Sequence, residues 1–241
     1  MCHIFKIYFY FIIKKLKNKK RSASCAHKTD LFSRFFKEDI MKDSNSDVCV
    51  SDMLDILFYK ARTYSAWRDI PVPDELLHSL AECISLGPTS ANCEPVRLVF
   101  IRTAHEKERL LPCLAEGNRV QTQLAPITVI IGYDLNFYEK LPELFPYVDA
   151  RSWFVDRSAF AETTAFRNSS LQGGYLILAA RALGLDCGPM SGFNNKAIDE
   201  IFFPQTSIRS NFLCNLGYGE PSNLHRDRPP RLKFNDFCTV L

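Results

Sequence analysis

The sequence predicts an α+β fold, with a mixed or antiparallel central sheet flanked by helices, and three observations carry that reading. Helix-like and strand-like runs are mixed, without the regular alternation of long β and α units that a doubly wound sheet shows. Two apolar runs, "VRLVFIR" at 96–102 and "ITVIIGYD" at 127–134, read as strands, the second buried on both faces. A long helix-like run, 164–183, ends at Gly184, a residue suited to a helix C-terminus. The chain has 241 residues, 46% of them hydrophobic and 24% charged, enough to bury one sizeable core.

In chain order, "SDMLDILFY" (51–59) has helical spacing at Met53, Leu54, Leu57 and Phe58, with Ser51 placed as an N-cap. A second helix follows in "IPVPDELLHSLAECISL". Pro73, Asp74 and Glu75 suit its first turn, and Leu76, Leu77, Leu80, Ala81 and Ile84 form its apolar stripe. The polar turn "GPTSAN" (87–92) leads into the 96–102 strand. "HEKERLLPCL" (105–114) is a short helix, and the 127–134 strand comes next. Residues 134–162 are aromatic-rich and broken by Pro142 and Pro146, which fits either a cover over a pocket or a helical excursion. After the long helix come a loop, "GLDCGPMSGF" (184–193), a short helix, "NKAIDEIF" (195–202), and a strand, "NFLCNLGYG" (211–219). The tail lacks amphipathic period and is expected to lie across another surface.

Two domains are expected. Residues 1–50 read as an N-terminal extension, disordered or translated from a start upstream of the true one, with Met41 and Met53 as alternative starts; residues 51–241 form the folded domain. The apolar part of the extension, 4–13, contains Lys6 and is too short for the ~20 residues a membrane span needs. Its basic residues mostly follow that part, the reverse of a signal peptide. Residues 1–40 hold ten Lys and Arg against three Asp and Glu, so the net charge of +3 leaves −4 for the remainder. That mildly acidic body argues against nucleic acid as a partner, and membrane contact through 1–40 is disfavoured. The nine cysteines include no CxxC pair, which points to reduced thiols in a cytoplasmic setting. The five histidines show no metal-ligand spacing, so no metal is expected.

Several polar clusters compete for a function. Thr89, Ser90 and Asn92 in "GPTSAN" can cradle a polar ligand or stabilise their own turn. Arg62, Thr63 and Ser65 combine a fixed cation with hydroxyls, a phosphate-binding set, or form a solvated helix face. Arg228 and Arg231 flank a proline pair near the C-terminus, apt for phosphate or simply part of a polar tail. Asn168, Ser169 and Gln172 share one helix face, and Gly173 and Gly174 sit mid-helix at a cost of ~1 kcal/mol each relative to Ala. No Ser–His pair, framed carboxylate pair, GxGxxG or Walker loop is present. No catalytic side chain is therefore named, and a bound cofactor is expected to carry the chemistry.

These segments, in this order, resemble the FMN-dependent nitroreductase family: the basic-hydroxyl segment, "GPTSANCEP" before a strand, "AFRNSSLQ", "LGLDCGPMSGF", "NLGYG" and a terminal R-x-x-R. "GPTSANCEP", "FPYVDARSWF" and "ALGLDCGPMSGF" are similar to the branch typified by the malonic semialdehyde reductase of pyrimidine degradation. The resemblance covers about 54–241. It implies a tight homodimer whose C-terminal tail wraps the partner, with two FMN clefts lined by both chains. It implies NADH or NADPH as hydride donor, ping-pong turnover, and a small aldehyde as substrate, or alternatively a nitro compound or quinone; a flavin-binding protein without turnover is the non-enzymatic alternative. Position by position, Arg62, Thr63 and Ser65 fall on the phosphate segment, and Thr89, Ser90 and Asn92 on the ribityl and ring-edge contacts. Pro189, Met190, Ser191 and Gly192 fall on the loop beside the ring, and Arg231 with Arg228 on the terminal phosphate ligands. Ala61 and Ser65 stand where many members carry basic residues. Arg151, Trp153 and Phe154 are the expected substrate contacts, Arg151 as a site for a carboxylate or as half of a structural salt bridge.

Overall fold

The computed structural model describes residues 50–224 and 227–241. The chain divides into two units, Met1–Met53 and Leu54–Leu241. The expectations for residues 1–49, the extension and its membrane contact, lie outside the described residues. Among the described residues, no helix is long and apolar enough to cross a membrane.

In chain order the elements are α1 (Val50–Leu54), continued by a π-helical turn (Asp55–Tyr59); α2 (Asp74–Ser85); β1 (Val96–Ile101); α3 (Ala104–Leu110); α4 (Glu116–Leu124); β2 (Ile127–Asp134); α5 (Leu141–Leu144); α6 (Ser158–Ala182); β3 (Asp186–Met190); α7 (Asn195–Phe202); β4 (Ile208–Gly217); and α8 (Phe234–Phe237). The four strands form one antiparallel sheet in the order β1-β2-β4-β3.

Both faces of the sheet are covered, which is why β2 reads as an apolar run interrupted, from Ile127 to Ile131, only by Thr128. Ile127, Val129 and Ile131 face α2 and α6, joining Leu76, Leu80, Ile84, Leu176 and Ala180. Ile130, one step out of phase, faces the other way into Leu110, Leu114, Ile198 and Leu213. A third apolar cluster lies beyond the sheet: Phe137, Leu141, Ala150, Phe154, Ala161 and Ala165 close around Cys93.

Several elements differ from the sequence reading, for identifiable reasons. Residues 186–190 are a strand, not a loop; Pro189 is tolerated because β3 is an edge strand. The helix α4 has no apolar stripe, only Thr122 being buried, and so left no periodic signal. The helix α6 begins at Ser158, six residues early, because Ala161 and Ala165 bury a small-residue face there. Ser51 lies inside α1 rather than capping it, and Ala81 of the α2 stripe is exposed. Residues 137–144 are helical, and the tail carries one short helix, α8.

Candidate functional site

The segment Arg62–Ser65 is laid along the outer edge of β3. Thr63 bridges to Cys187, and the Tyr64 N–H donates to the Cys187 carbonyl at 3.1 Å. The backbones approach so closely that a Cβ on Gly188 would sit 2.6 Å from the Tyr64 carbonyl oxygen. Thr63 and Ser65 are exposed, and Arg62 is half-buried. The same edge leads through Pro189 and Met190, the end of β3, into the loop at Ser191 and Gly192; Pro189 and Ser191 are exposed while Met190 points inward. The period of two thus sends Met190 into the core, where its Sδ receives the Thr122 hydroxyl at 3.6 Å, instead of presenting it to a ring.

Residues that sequence reasoning missed hold this loop. The Gly192 carbonyl accepts from Ala115 N at 2.9 Å and from Asn118 Nδ2 at 3.0 Å. Gln121 Nε2 bonds Asn118 Oδ1, and Trp67 Nε1 donates to the Gln121 carbonyl, so α4 ties the two halves of the edge together. Beneath, Thr128, Asn215 and Thr122 form a buried hydrogen-bonded chain. A polar helix such as α4 gave no cue to this role.

The "GPTSAN" turn sits at the start of β1. Ala91, Asn92 and Glu94 all have positive φ (50°, 51° and 36°), a conformation that non-glycine residues adopt at a cost. The helix α6 holds the turn there: Asn168 Oδ1 accepts from Ser90 N at 2.9 Å, and Gln172 Oε1 accepts from Val96 N at 3.1 Å. Thr89 Oγ1 accepts from Glu94 N, and Asn92 Nδ2 donates to the Leu144 carbonyl at 2.9 Å. Both side chains therefore serve the turn and its neighbour α5, while the Ser90 side chain is exposed. Gln172 Nε2 is buried without a hydrogen-bond partner. Burial pushes the Cys93 thiol up to about 11, which keeps it protonated and non-nucleophilic at neutral pH.

The 134–157 excursion covers this turn through Cys93 and the Asn92–Leu144 bond. Arg151 closes bidentately on Glu139, Nε to Oε2 at 2.7 Å and Nη2 to Oε1 at 2.8 Å. That bond holds the Glu139 carboxyl below its usual range. Phe154 is buried in the third cluster, stacked on Phe160 and edge-on to Phe137, and is not presented to a substrate. Trp153 is 43% exposed.

Within one chain the two polar clusters do not meet. They lie on opposite edge strands, about 14 Å apart across the sheet at ~4.8 Å per strand, and at opposite ends of it: Val96 is level with Tyr133 and Arg209, whereas Cys187, beside Thr63, is level with Leu216 and Ile127. The spacing along α6 agrees. Asn168 holds Ser90, whereas Arg181 Nη1 holds the Leu57 carbonyl, at 2.8 Å, in the turn ahead of Arg62. From residue 168 to residue 181 is about 20 Å of helix at 1.5 Å per residue. Midway, Gly173 packs inward, where a Cβ would meet the Phe212 ring at 2.4 Å. Gly174 faces outward with nothing within 4 Å of its Cβ position, on a face shared with exposed Phe166 and Leu171. Arg228 Nη2 donates to the carbonyls of Phe58, Tyr59 and Ala61, and Arg231 Nη1 turns back to those of Pro229 and Pro230. Among the described residues, no His, Cys, Asp and Glu group gathers as a metal site.

Residues 59–218 match the model of the nitroreductase family. A Burkholderia lata protein, provisionally named an NADH dehydrogenase/NAD(P)H nitroreductase, is 58% identical over 187 residues, spanning 78% of this chain and 95% of its own length. A similarly named protein of Stutzerimonas stutzeri is 57% identical over 190 residues, 79% of this chain and 96% of its own. Among solved structures, a nitroreductase-like protein of Exiguobacterium sibiricum in complex with FMN superposes with a TM-score of 0.71 at 21% identity, covering 81% of this chain and all of its own.

Proposed function

The chain belongs to the nitroreductase family, and from that premise we propose that it is an FMN-dependent NAD(P)H oxidoreductase working as a homodimer. The observation that carries the cofactor reading is the β3 edge, where Arg62 and the exposed hydroxyls of Thr63 and Ser65 adjoin exposed Pro189 near the end of β3 and Ser191 in the loop after it. A cation beside hydroxyls is the donor set of a phosphate monoester, and an exposed backbone loop is suited to a heterocycle edge, so these residues fit FMN. When bound, FMN supplies hydride transfer between the nicotinamide and an oxidised acceptor. The chain's own part is to fix the phosphate at Arg62, to line the ring with 189–192, and to bring the rigid Ser90 turn against the opposite side.

That last task supports the homodimer. The Ser90 turn lies about 20 Å from the Arg62 segment along α6, so one chain alone leaves the site open. Two α6 helices crossing antiparallel near Gly174 would set Asn168 of each chain beside Arg181 of the other. Gly174 falls halfway between those residues and is bare.

For the acceptor, one observation favours an uncharged nitro compound or quinone over malonic semialdehyde. Arg151 is already closed on Glu139, so a substrate carboxylate would have to displace that partner. The test is direct. The purified protein should carry FMN, bleach anaerobically with NADH or NADPH, and then reduce nitroaromatics and quinones with higher kcat/KM than malonic semialdehyde. A protein that takes up no flavin would end the proposal, and preference for the semialdehyde would reverse the acceptor assignment.

A further inference from the structure

The family resemblance placed Arg228 with Arg231 among phosphate ligands, but its surroundings give it other work. The π-helical turn Asp55–Tyr59 closes with Lys60 N donating to the Asp55 carbonyl at 2.8 Å. Its end leaves carbonyls that no further helical turn satisfies. Arg181 Nη1 takes the Leu57 carbonyl at 2.8 Å. Arg228 Nη2 takes those of Phe58, Tyr59 and Ala61 at 3.1, 3.0 and 2.5 Å. One terminal guanidinium nitrogen carries two N–H groups, so three carbonyl acceptors commit it fully. The Ala61 carbonyl belongs to the peptide that carries the nitrogen of Arg62. Two residues on, that strand segment is bonded to β3 through Thr63 and Tyr64. The turn, the start of the phosphate segment and the C-terminal tail are thus joined through one side chain.

We propose that Arg228 is a positioning residue. It clamps the carbonyls ahead of Arg62 so that Arg62 is presented to the flavin phosphate, and it makes no contact with the phosphate itself. This rests on the FMN reading above. It also makes docking of the tail, 170 residues away in sequence from Phe58, a condition for tight phosphate binding.

Dissociation constants for FMN and for riboflavin, by quenching of flavin fluorescence, test the idea on wild type, Arg228→Ala, Arg228→Lys, Arg62→Ala and the Arg62→Ala/Arg228→Ala double variant. Arg228→Ala should weaken FMN about tenfold, the scale of one charge-assisted hydrogen bond, and leave riboflavin unchanged. Lysine, which can also donate to several carbonyls, should restore most of the loss. In the Arg62→Ala background the Arg228→Ala effect should vanish. An undiminished effect there means direct phosphate contact and overturns the proposal. Hydrogen exchange on the flavin-free protein gives a second readout: the Lys60 and Tyr64 amides should exchange faster in Arg228→Ala, and unchanged exchange also overturns it. A wild type that binds neither flavin sinks the FMN reading itself, whereas a wild type that binds FMN but shows no Arg228 dependence sinks only the clamp.

Discussion

Around Ser90 the chain holds three non-glycine residues at positive φ, and buried amide side chains of α6 keep them there. Around Arg62 the backbone is an ordinary edge segment, exposed at Thr63 and Ser65, and guanidinium groups from distant parts of the chain hold the turn before it. The first region is rigid because its alternatives would break bonds to buried amides. The second is held by charged groups whose partners are carbonyls near the surface, a softer arrangement. The contrast teaches a division of labour: a strained, preformed wall on one side of the candidate cleft, and an adjustable anionic-group grip on the other.

The sharpest way to separate the two regions is to stop them from meeting. Gly174→Leu has open space within the chain, so the fold should persist, but the proposed helix crossing should not. A monomer by sedimentation, with FMN affinity lowered about a hundredfold or more, is the expected result; this corresponds to ~2.7 kcal/mol. Gly173→Leu makes the complementary test. Its side chain would enter the Phe212 ring, so unfolding free energy should fall by about 1–3 kcal/mol or more, read from urea denaturation.

Next in size, Asn168→Ala removes the acceptor of Ser90 N and should cost about 1–3 kcal/mol of stability. The expected signature is a lower melting temperature together with faster exchange at residues 89–94, and a rigid turn in that variant would show that strain needs no such restraint. Thr89→Ala with Asn92→Ala removes two partly exposed bonds and should cost about 1–2 kcal/mol in the flavin-free protein. An unchanged apo melting temperature with weakened FMN would instead make these side chains ligand contacts.

The smallest effect is one of pH. Lys107 is buried, with its ammonium on the Ala125 and Gln123 carbonyls and no acidic partner in those bonds, and burial lowers its pKa below the ordinary 10.5. Because the folded-state value lies below the unfolded one, the unfolded chain binds more protons in the interval between them. Stability should therefore rise with pH as that interval is crossed toward 10.5 and be lost as pH falls back through it. Urea midpoints taken up to pH 10 should show the rise in wild type and a flatter profile in Lys107→Met.

Much of the scaffold was legible. The apolar stripe of α2 and the runs of β1, β2 and β4 record burial, which sequence period reports directly. Asp186–Met190 escaped because Gly188 and Pro189 carry turn-like composition into an edge strand. The helix α4 escaped because its work is polar: Asn118, itself bonded by Gln121, holds the loop after β3 at Gly192, and amide bonding has no periodicity. The site residues were legible as residue types but not as geometry. Nothing local to "ARTYSAW" or "GPTSAN" tells that the two lie at opposite edges of one sheet. Nor could composition say that Glu139 occupies Arg151.

The order β1-β2-β4-β3 has a consequence for synthesis. The strand β4, Ile208–Gly217, is made last yet lies between β2 and β3 and bonds to both. A growing chain can pair β1 with β2 early, but the outer edge of β2, among its most apolar segments, stays unpaired until Gly217 has left the ribosome. Such late, non-local closure slows folding and exposes a sticky edge in the meantime. A chain stopped near residue 205 would lack the sheet's centre rather than its rim. It should accumulate as aggregate or bind a chaperone, not survive as a smaller version of the fold.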